Sequence, residues 1–170
     1  MPIDDRDFEI KIDKTTSLYA RVHIESKKFP TIIHFHGNAE IADEYDPFAI
    51  AFQKRKINFI SCDYRGYGKS TGYPSCSAML SDSKNIFSSL IKMLSVEKYN
   101  SRVCVMGRSL GSASACEIAS KHESEIDGCI IESGFGTEIP LMRILDLEPD
   151  DVEYNPRQGF ENLRKLVEYT

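Results

Sequence analysis

The hydrophobic period of the chain changes repeatedly, and each change marks an element. Leu18, Ala20, Val22 and Ile24 alternate with polar neighbours, the pattern of a half-buried strand. With Phe8 to Asp13 before it and Lys14-Thr15-Thr16 between, the pattern predicts an edge hairpin. Thr31-Ile32-Ile33-His34-Phe35 is a β-branched run without polar alternation, as expected of a strand covered on both faces. Ile57 to Cys62, Arg102 to Met106 and Ile126 to Ile131 read as further strands.

Helical periods separate these runs. Asp46-Pro47 reads as an N-cap and first helical residue, with Phe48, Ala51 and Phe52 as the apolar face and Lys54-Arg55-Lys56 in the last turn. Met79, Leu80, Ile86, Phe87, Leu90, Ile91 and Leu94 lie on one face of a longer amphipathic helix. Leu110 to Lys121 is a helix rich in small residues, suited to close approach to a sheet. Pro140 and Pro149 interrupt the stretch from Thr137 to Asp151. Asn155-Pro156 reads as another cap, with Phe160, Leu163, Leu166 and Val167 as the face of a last helix.

Strands alternating with helices predict parallel βαβ units. The expected architecture is α/β: a mostly parallel, doubly wound sheet with helices on both faces and an N-terminal antiparallel hairpin. Residues 1–170 read as one domain, without internal repeat, low-complexity segment or linker.

Composition narrows the function. The net charge of -5, with no run of Lys or Arg, argues against nucleic acid as a partner. No apolar run approaches the length needed to span a membrane. Met1 to Asp7 is acidic and polar, unlike a signal peptide. The five cysteines, Cys62, Cys76, Cys104, Cys116 and Cys129, are odd in number and lack a Cys-x-x-Cys spacing. They read as small buried hydrophobes rather than disulfides or metal ligands, so a reducing, cytoplasmic compartment is expected.

The chemistry gathers where strands end. Gly107-Arg108-Ser109-Leu110-Gly111 joins a strand to a helix, the setting a nucleophile elbow needs. His36-Gly37-Asn38, Asp63-Tyr64-Arg65 and Glu132-Ser133 also follow strands, and in doubly wound sheets reactive groups collect at those carboxyl ends. The glycine-rich loop Asp63 to Ser70 fits neither phosphate motif. A P-loop needs glycine at Asp63, and a dinucleotide fingerprint needs one at Thr71. Gly66 and Gly68 are read instead as allowing a tight turn.

With His36-Gly37-Asn38-Ala39, Asp63-Tyr64-Arg65-Gly66-Tyr67-Gly68-Lys69-Ser70 and the elbow in this order, the chain resembles the α/β-hydrolase superfamily. Within it, the resemblance is to the Bem46-like and serine aminopeptidase-like branch. It implies Ser109 as nucleophile, with the backbone N–H groups of Leu110 and Asn38 as the oxyanion hole. It implies hydrolysis of an ester, thioester or peptide-like acyl bond in a small-molecule substrate, with neither cofactor nor metal. His36 would shape its turn and Asp63 would brace its loop. Tyr64 and Phe135 read either as an acyl pocket or as packing aromatics.

The same resemblance leaves a gap. The superfamily order is serine, then acid, then histidine. After Ser109 the only histidine is His122, at the far end of the following helix. His23 and His34 precede the elbow and read as packed or edge histidines. Glu132 is the candidate acid, with Glu138 behind it; its other reading is a strand-end carboxylate bonded to loop N–H groups. The expectation is a chain truncated before the triad acid and histidine, with part of a lid over residues 135–152. Such a chain would leave Cys129-Ile130-Ile131 on an exposed sheet edge open to self-association. The competing expectation is a non-catalytic binding or regulatory module, or an inactive fragment, of the same fold.

Overall fold

The computed structural model describes residues 6–99, 101–144, 146–152, 155 and 159–169. Among these residues six strands form one sheet in the order β1-β2-β4-β3-β5-β6. They are β1 (Asp7–Lys11), β2 (Ser17–His23), β3 (Thr31–Phe35), β4 (Asn58–Cys62), β5 (Val103–Arg108) and β6 (Gly128–Glu132). β1, β2 and β4 pair antiparallel, whereas β4, β3, β5 and β6 are parallel. The hairpin turn is held by Asp13, whose Oδ1 accepts from the Thr15 and Thr16 N–H groups at 2.8 and 2.9 Å.

Among the described residues the α-helices are α1 (Asp46–Gln53), α2 (Cys76–Val96), α3 (Ser112–Lys121), α4 (Ile139–Ile144) and α5 (Asn162–Glu168); α1 and α3 pack on the sheet, and α2 and α5 pack against α3. Side-chain alternation splits the core into two layers. Ile33, Phe35, Ile60, Cys62, Val103 and Val105 face α2 and α3, meeting Ile86, Phe87, Leu90 and Ile118. Ile32 and Phe59 face α1, with Tyr45, Ala49 and Phe52. α1 covers only part of its side: Cys104 and Met106 are half-buried and Ile130 is 42% exposed.

Three local readings change. A 3-10 helix over Ala42–Tyr45 runs directly into α1, so Asp46 is its first residue rather than its cap. The Asp46 carboxylate instead takes the Arg21 guanidinium, at 3.0 and 2.9 Å, and His23 Nε2 at 2.8 Å. The face toward the sheet is Ala49 and Phe52 of α1 with Tyr45 of the preceding 3-10 helix, while Phe48 stands exposed. In α5 the buried positions are Asn162 and Lys165; Leu163 and Val167 point to solvent. Tertiary polar contacts override periodicity there: Lys165 Nζ lies 2.6 Å from the buried Glu117 of α3. Pro156 lies outside the described residues.

Register fixes where the loops emerge. Phe35 pairs with both Cys62 and Gly107, and Arg108 pairs with Glu132. The segments after β3, β4, β5 and β6 therefore leave one edge of the sheet side by side, as expected of such a fold.

Candidate active site

Ser109 follows β5 directly and has φ 49°, a left-handed conformation rare for a residue with a side chain. The chain must reverse sharply there because both flanking glycines are pressed against backbone. A Cβ on Gly107 would come 2.3 Å from the Gly111 carbonyl oxygen. One on Gly111 would come 2.0 Å from the Phe35 carbonyl oxygen and 2.8 Å from that of His36. The strained turn pushes Ser109 out into an exposed position at the head of the 3-10 turn Ser109–Gly111, which continues into α3.

The same contact lays the elbow against the His36-Gly37-Asn38 turn. Leu110 lies in the first helical turn, where N–H groups lack an intrahelical acceptor. No hydrogen bond among the described residues uses the Asn38 N–H either. Each side of the turn is fastened. Tyr67 Oη donates to Asn38 Oδ1 at 2.8 Å, and Tyr64 Oη donates to the His36 carbonyl at 2.7 Å. The Gly37 N–H donates to Glu40 Oε2 at 2.7 Å, and Tyr45 Oη donates to the same oxygen at 2.6 Å. Arg108, the residue before the serine, binds the other Glu40 oxygen and reaches Glu132 Oε1 at 3.4 Å.

Asp63, which the resemblance assigned to bracing its own loop, does so through its backbone carbonyl, while its carboxylate ties that loop to the segment after β3. Its Oδ1 accepts from the Ala42 N–H at 2.8 Å, and its carbonyl accepts from Ser70 Oγ at 3.2 Å. A Cβ on Gly68, at φ 52°, would come 2.1 Å from Asp63 Oδ2. Glycine at this position thus serves the bend and makes room for the carboxylate.

All four histidine rings are engaged away from Ser109. His36 is fully buried, with Nδ1 2.8 Å from the Gly37 carbonyl oxygen. Its Nε2 is 3.2 Å from Asp63 Oδ1 without hydrogen-bond alignment. His34 Nδ1 is 3.1 Å from Ser61 Oγ, and the ring lies between Tyr45 and Phe59. Burial, reinforced by His36 and Arg108, pushes its pKa down to about 3. His23 bonds Asp46, and His122 Nδ1 is 2.7 Å from Glu125 Oε1 at the far end of α3. The Glu138 carboxylate accepts from the Phe160 N–H. No three of His, Cys, Asp and Glu converge as metal ligands would among the described residues.

Two cavities flank this edge of the sheet. A cleft of about 520 Å³ opens on the α1 side, between Tyr45, Phe48, Met106, Arg108 and Glu132. A smaller one, about 190 Å³, is walled by Tyr64, Tyr67, Met79, Leu110 and Phe160 and adjoins the elbow. Phe135 packs edge-on against Phe160, 5.6 Å between centroids, behind that wall. Sequence reading missed Arg108, Glu40, Tyr45 and Tyr67. Arg108 and Tyr67 carried a local signal, their places within the elbow and the glycine-rich loop; Glu40 and Tyr45 carried none.

Comparison with known proteins bears on both fold and site. The pattern of the serine aminopeptidase, S33, family matches residues 26–144. Alpha/beta hydrolase domain-containing protein WAV2 of Arabidopsis thaliana is 32% identical over 68% of this chain and 37% of its own length. Protein bem46 of Schizosaccharomyces pombe is 33% identical over 72% of this chain and 42% of its own. The chain thus spans about two fifths of the length of these relatives. Among solved structures, an α/β-hydrolase from Vibrio vulnificus superposes with a TM-score of 0.71 at 17% identity, covering 96% of this chain and 61% of that one. A soluble variant of monoglyceride lipase from Saccharomyces cerevisiae gives 0.67 at 14% identity, covering 86% and 49%. The mostly parallel sheet with its N-terminal hairpin is therefore the α/β-hydrolase fold.

Proposed function

The chain belongs to the serine aminopeptidase (S33) family, in the Bem46-like part of the α/β-hydrolases, and on that premise we propose a serine hydrolase acting on an ester, thioester or peptide-like acyl bond. The observation that carries this reading is Ser109, held at φ 49° between two glycines whose missing Cβ atoms make room for the turn. In this reading Ser109 Oγ attacks the carbonyl carbon and loses its proton to a base. The Asn38 and Leu110 N–H groups take the charge that develops on the carbonyl oxygen. The bond to the leaving group breaks with protonation of that group, and water then releases the acyl group from Ser109. Each of the four histidines makes a contact with a group other than Ser109, so in this reading the base is a group other than these imidazoles.

The test is covalent capture. The polypeptide expressed from its whole gene is incubated with a fluorophosphonate and digested, and the adduct is located by mass spectrometry. An adduct on the Ser109 peptide, absent in Ser109→Ala, is the expected result. A folded protein with no adduct there overturns the proposal.

The engagement of every histidine also favours a second reading, a binding or regulatory module of the same fold. The outer edge of β6, with Ile130 42% exposed, would then take another chain or a second copy. Sedimentation that shows a monomer at high concentration, together with a labelled Ser109, counts against it.

A further inference from the structure

The larger cleft, on the α1 side of the sheet, has a polar atom without a partner at its floor. His34 lines this cleft and is fully buried. Its Nδ1 is turned to Ser61 of β4, at 3.1 Å. Nε2, on the other side of the ring, is therefore turned to β5, where Met106 pairs with His34 and lines the same cleft. Nε2 has no hydrogen bond among the described residues. A polar atom buried in this way costs free energy that a hydrogen bond would recover. The ring is neutral at ordinary pH, its pKa pushed down to about 3 mainly by burial. One nitrogen of a neutral imidazole donates and the other accepts, and a hydroxyl serves Nε2 in either tautomer.

Above this floor the walls are aromatic. Phe52 stacks on Phe59, 5.0 Å between centroids, and Tyr45 lies 5.3 Å from Phe48. Phe48 is 59% exposed, an apolar ring standing at the opening. A flat apolar group between these rings would exchange water for aromatic contact. The volume of about 520 Å³, at roughly 30 Å³ for each water-sized group, holds roughly seventeen of them, enough for an aryl ring and a short tail.

The rim is acidic. Glu40, Glu44 and Glu132 face the guanidinium of Arg108 there. Arg108 binds one Glu40 oxygen, and the other accepts from the Gly37 N–H and the Tyr45 hydroxyl. Arg108 reaches Glu132 only at 3.4 Å, Glu44 accepts the Ile41 N–H at 3.3 Å, and both carboxylates are exposed. Burial, with the charge of Glu132 and Glu44, pushes the Tyr45 hydroxyl up to about 12. The opening thus carries excess negative charge beside aromatic faces, which favours a cation and opposes an anion.

We propose that this cleft is a binding site for an organic cation, a hydroxyaryl amine. The hydroxyl bonds His34 Nε2 at the floor, the ring lies against the aromatic walls, and the ammonium sits at the rim near Glu44 and Glu132. The site makes no use of Ser109, so it goes beyond the hydrolase reading and does not depend on it.

Tyramine is the probe, titrated into the 170-residue chain near neutral pH and followed by the methionine methyl resonances. Saturable shifts of Met106 are expected, with Met79, on the other face of the sheet, unmoved. Phenethylamine, which lacks the hydroxyl, and para-ethylphenol, which lacks the ammonium, are each expected to bind roughly tenfold more weakly. Glu44→Gln combined with Glu132→Gln, both at exposed positions, is expected to weaken tyramine roughly tenfold and to leave para-ethylphenol unchanged. His34→Phe should make tyramine and phenethylamine bind alike. No saturable shift of Met106 in the folded chain overturns the proposal, as does phenethylamine or para-ethylphenol binding as tightly as tyramine. Tyramine affinity unchanged in the double glutamine variant overturns it as well. A chain that sediments as a dimer and takes up no tyramine assigns the cleft to a second copy and overturns the site.

Discussion

Arg108 and Glu40 join the two halves of the site. The guanidinium on the residue before Ser109 binds the carboxylate that also accepts the Gly37 N–H at 2.7 Å. The Arg108 and Glu40 side chains are 39% and 23% exposed, so the pair contributes only about 0–1 kcal/mol to stability. Its effect is on position, because Asn38 follows Gly37 and Ser109 follows Arg108. Glu40→Gln is expected to lower kcat for ester hydrolysis roughly 10- to 100-fold, with KM and melting temperature little changed. A KM effect alone would show that the pair does not position the donors.

Gly111→Ala tests the packing of the elbow. The added methyl would meet the Phe35 carbonyl oxygen at 2.0 Å, a backbone atom in a buried strand that cannot move aside alone. A loss of about 3 kcal/mol or more in urea unfolding is expected. A loss below about 1 kcal/mol would mean that the turn relaxes freely.

Ser109 stores strain that a smaller residue releases. At φ 49°, Ser109→Gly is expected to stabilise the fold by about 1 kcal/mol over Ser109→Ala, because glycine occupies this region without penalty. Denaturant midpoints of the two variants measure the difference, and equal midpoints would remove strain from the account.

Glu117 and Lys165 fasten α5 to α3 as a buried pair, with side chains 7% and 5% exposed. Burial pushes the Glu117 carboxyl up, but its bonds and attraction to Lys165 and Lys84 outweigh this and hold it below 4.5. The stabilisation is therefore present above pH 4.5 and is lost as pH falls through the lowered value. Glu117→Gln is expected to cost about 3–5 kcal/mol near neutral pH by leaving Lys165 buried without its partner. Glu117→Gln combined with Lys165→Met should recover most of that loss. A double variant as unstable as the single one would show that the ammonium is not what destabilises it.

His34 acts in a higher pH window. Its pKa of about 3 lies below the ordinary 6.5, so the unfolded chain takes up a proton that the folded one refuses. Stability from this group is complete above pH 6.5 and declines toward pH 3. His34→Phe should flatten the fall in urea midpoint between pH 7 and 5, leaving the smaller part due to His23, which burial also holds low. A fall as steep as in the parent chain would assign the acid sensitivity elsewhere.

The sequence by itself determined the order of strands and helices, the mostly parallel sheet and the elbow. Those features depend on local chemistry: β-branched runs, helical periodicity, and glycines at a turn too tight for a Cβ. Ser109 was legible for that reason, whereas the bracing role of Asp63 came from the family resemblance and not from its place at a strand end. Only the tertiary structure decided what faces the site. The bond from Arg108 to Glu40 spans 68 residues, and that from Tyr67 to Asn38 spans 29. Periodicity assigned Leu163 and Val167 to the core, but the carboxylate of Glu117 called Lys165 inward and turned those apolar side chains to solvent. A polar pair formed across a fold satisfies charge rather than any pattern along the chain, so no reading of neighbours in sequence can find it.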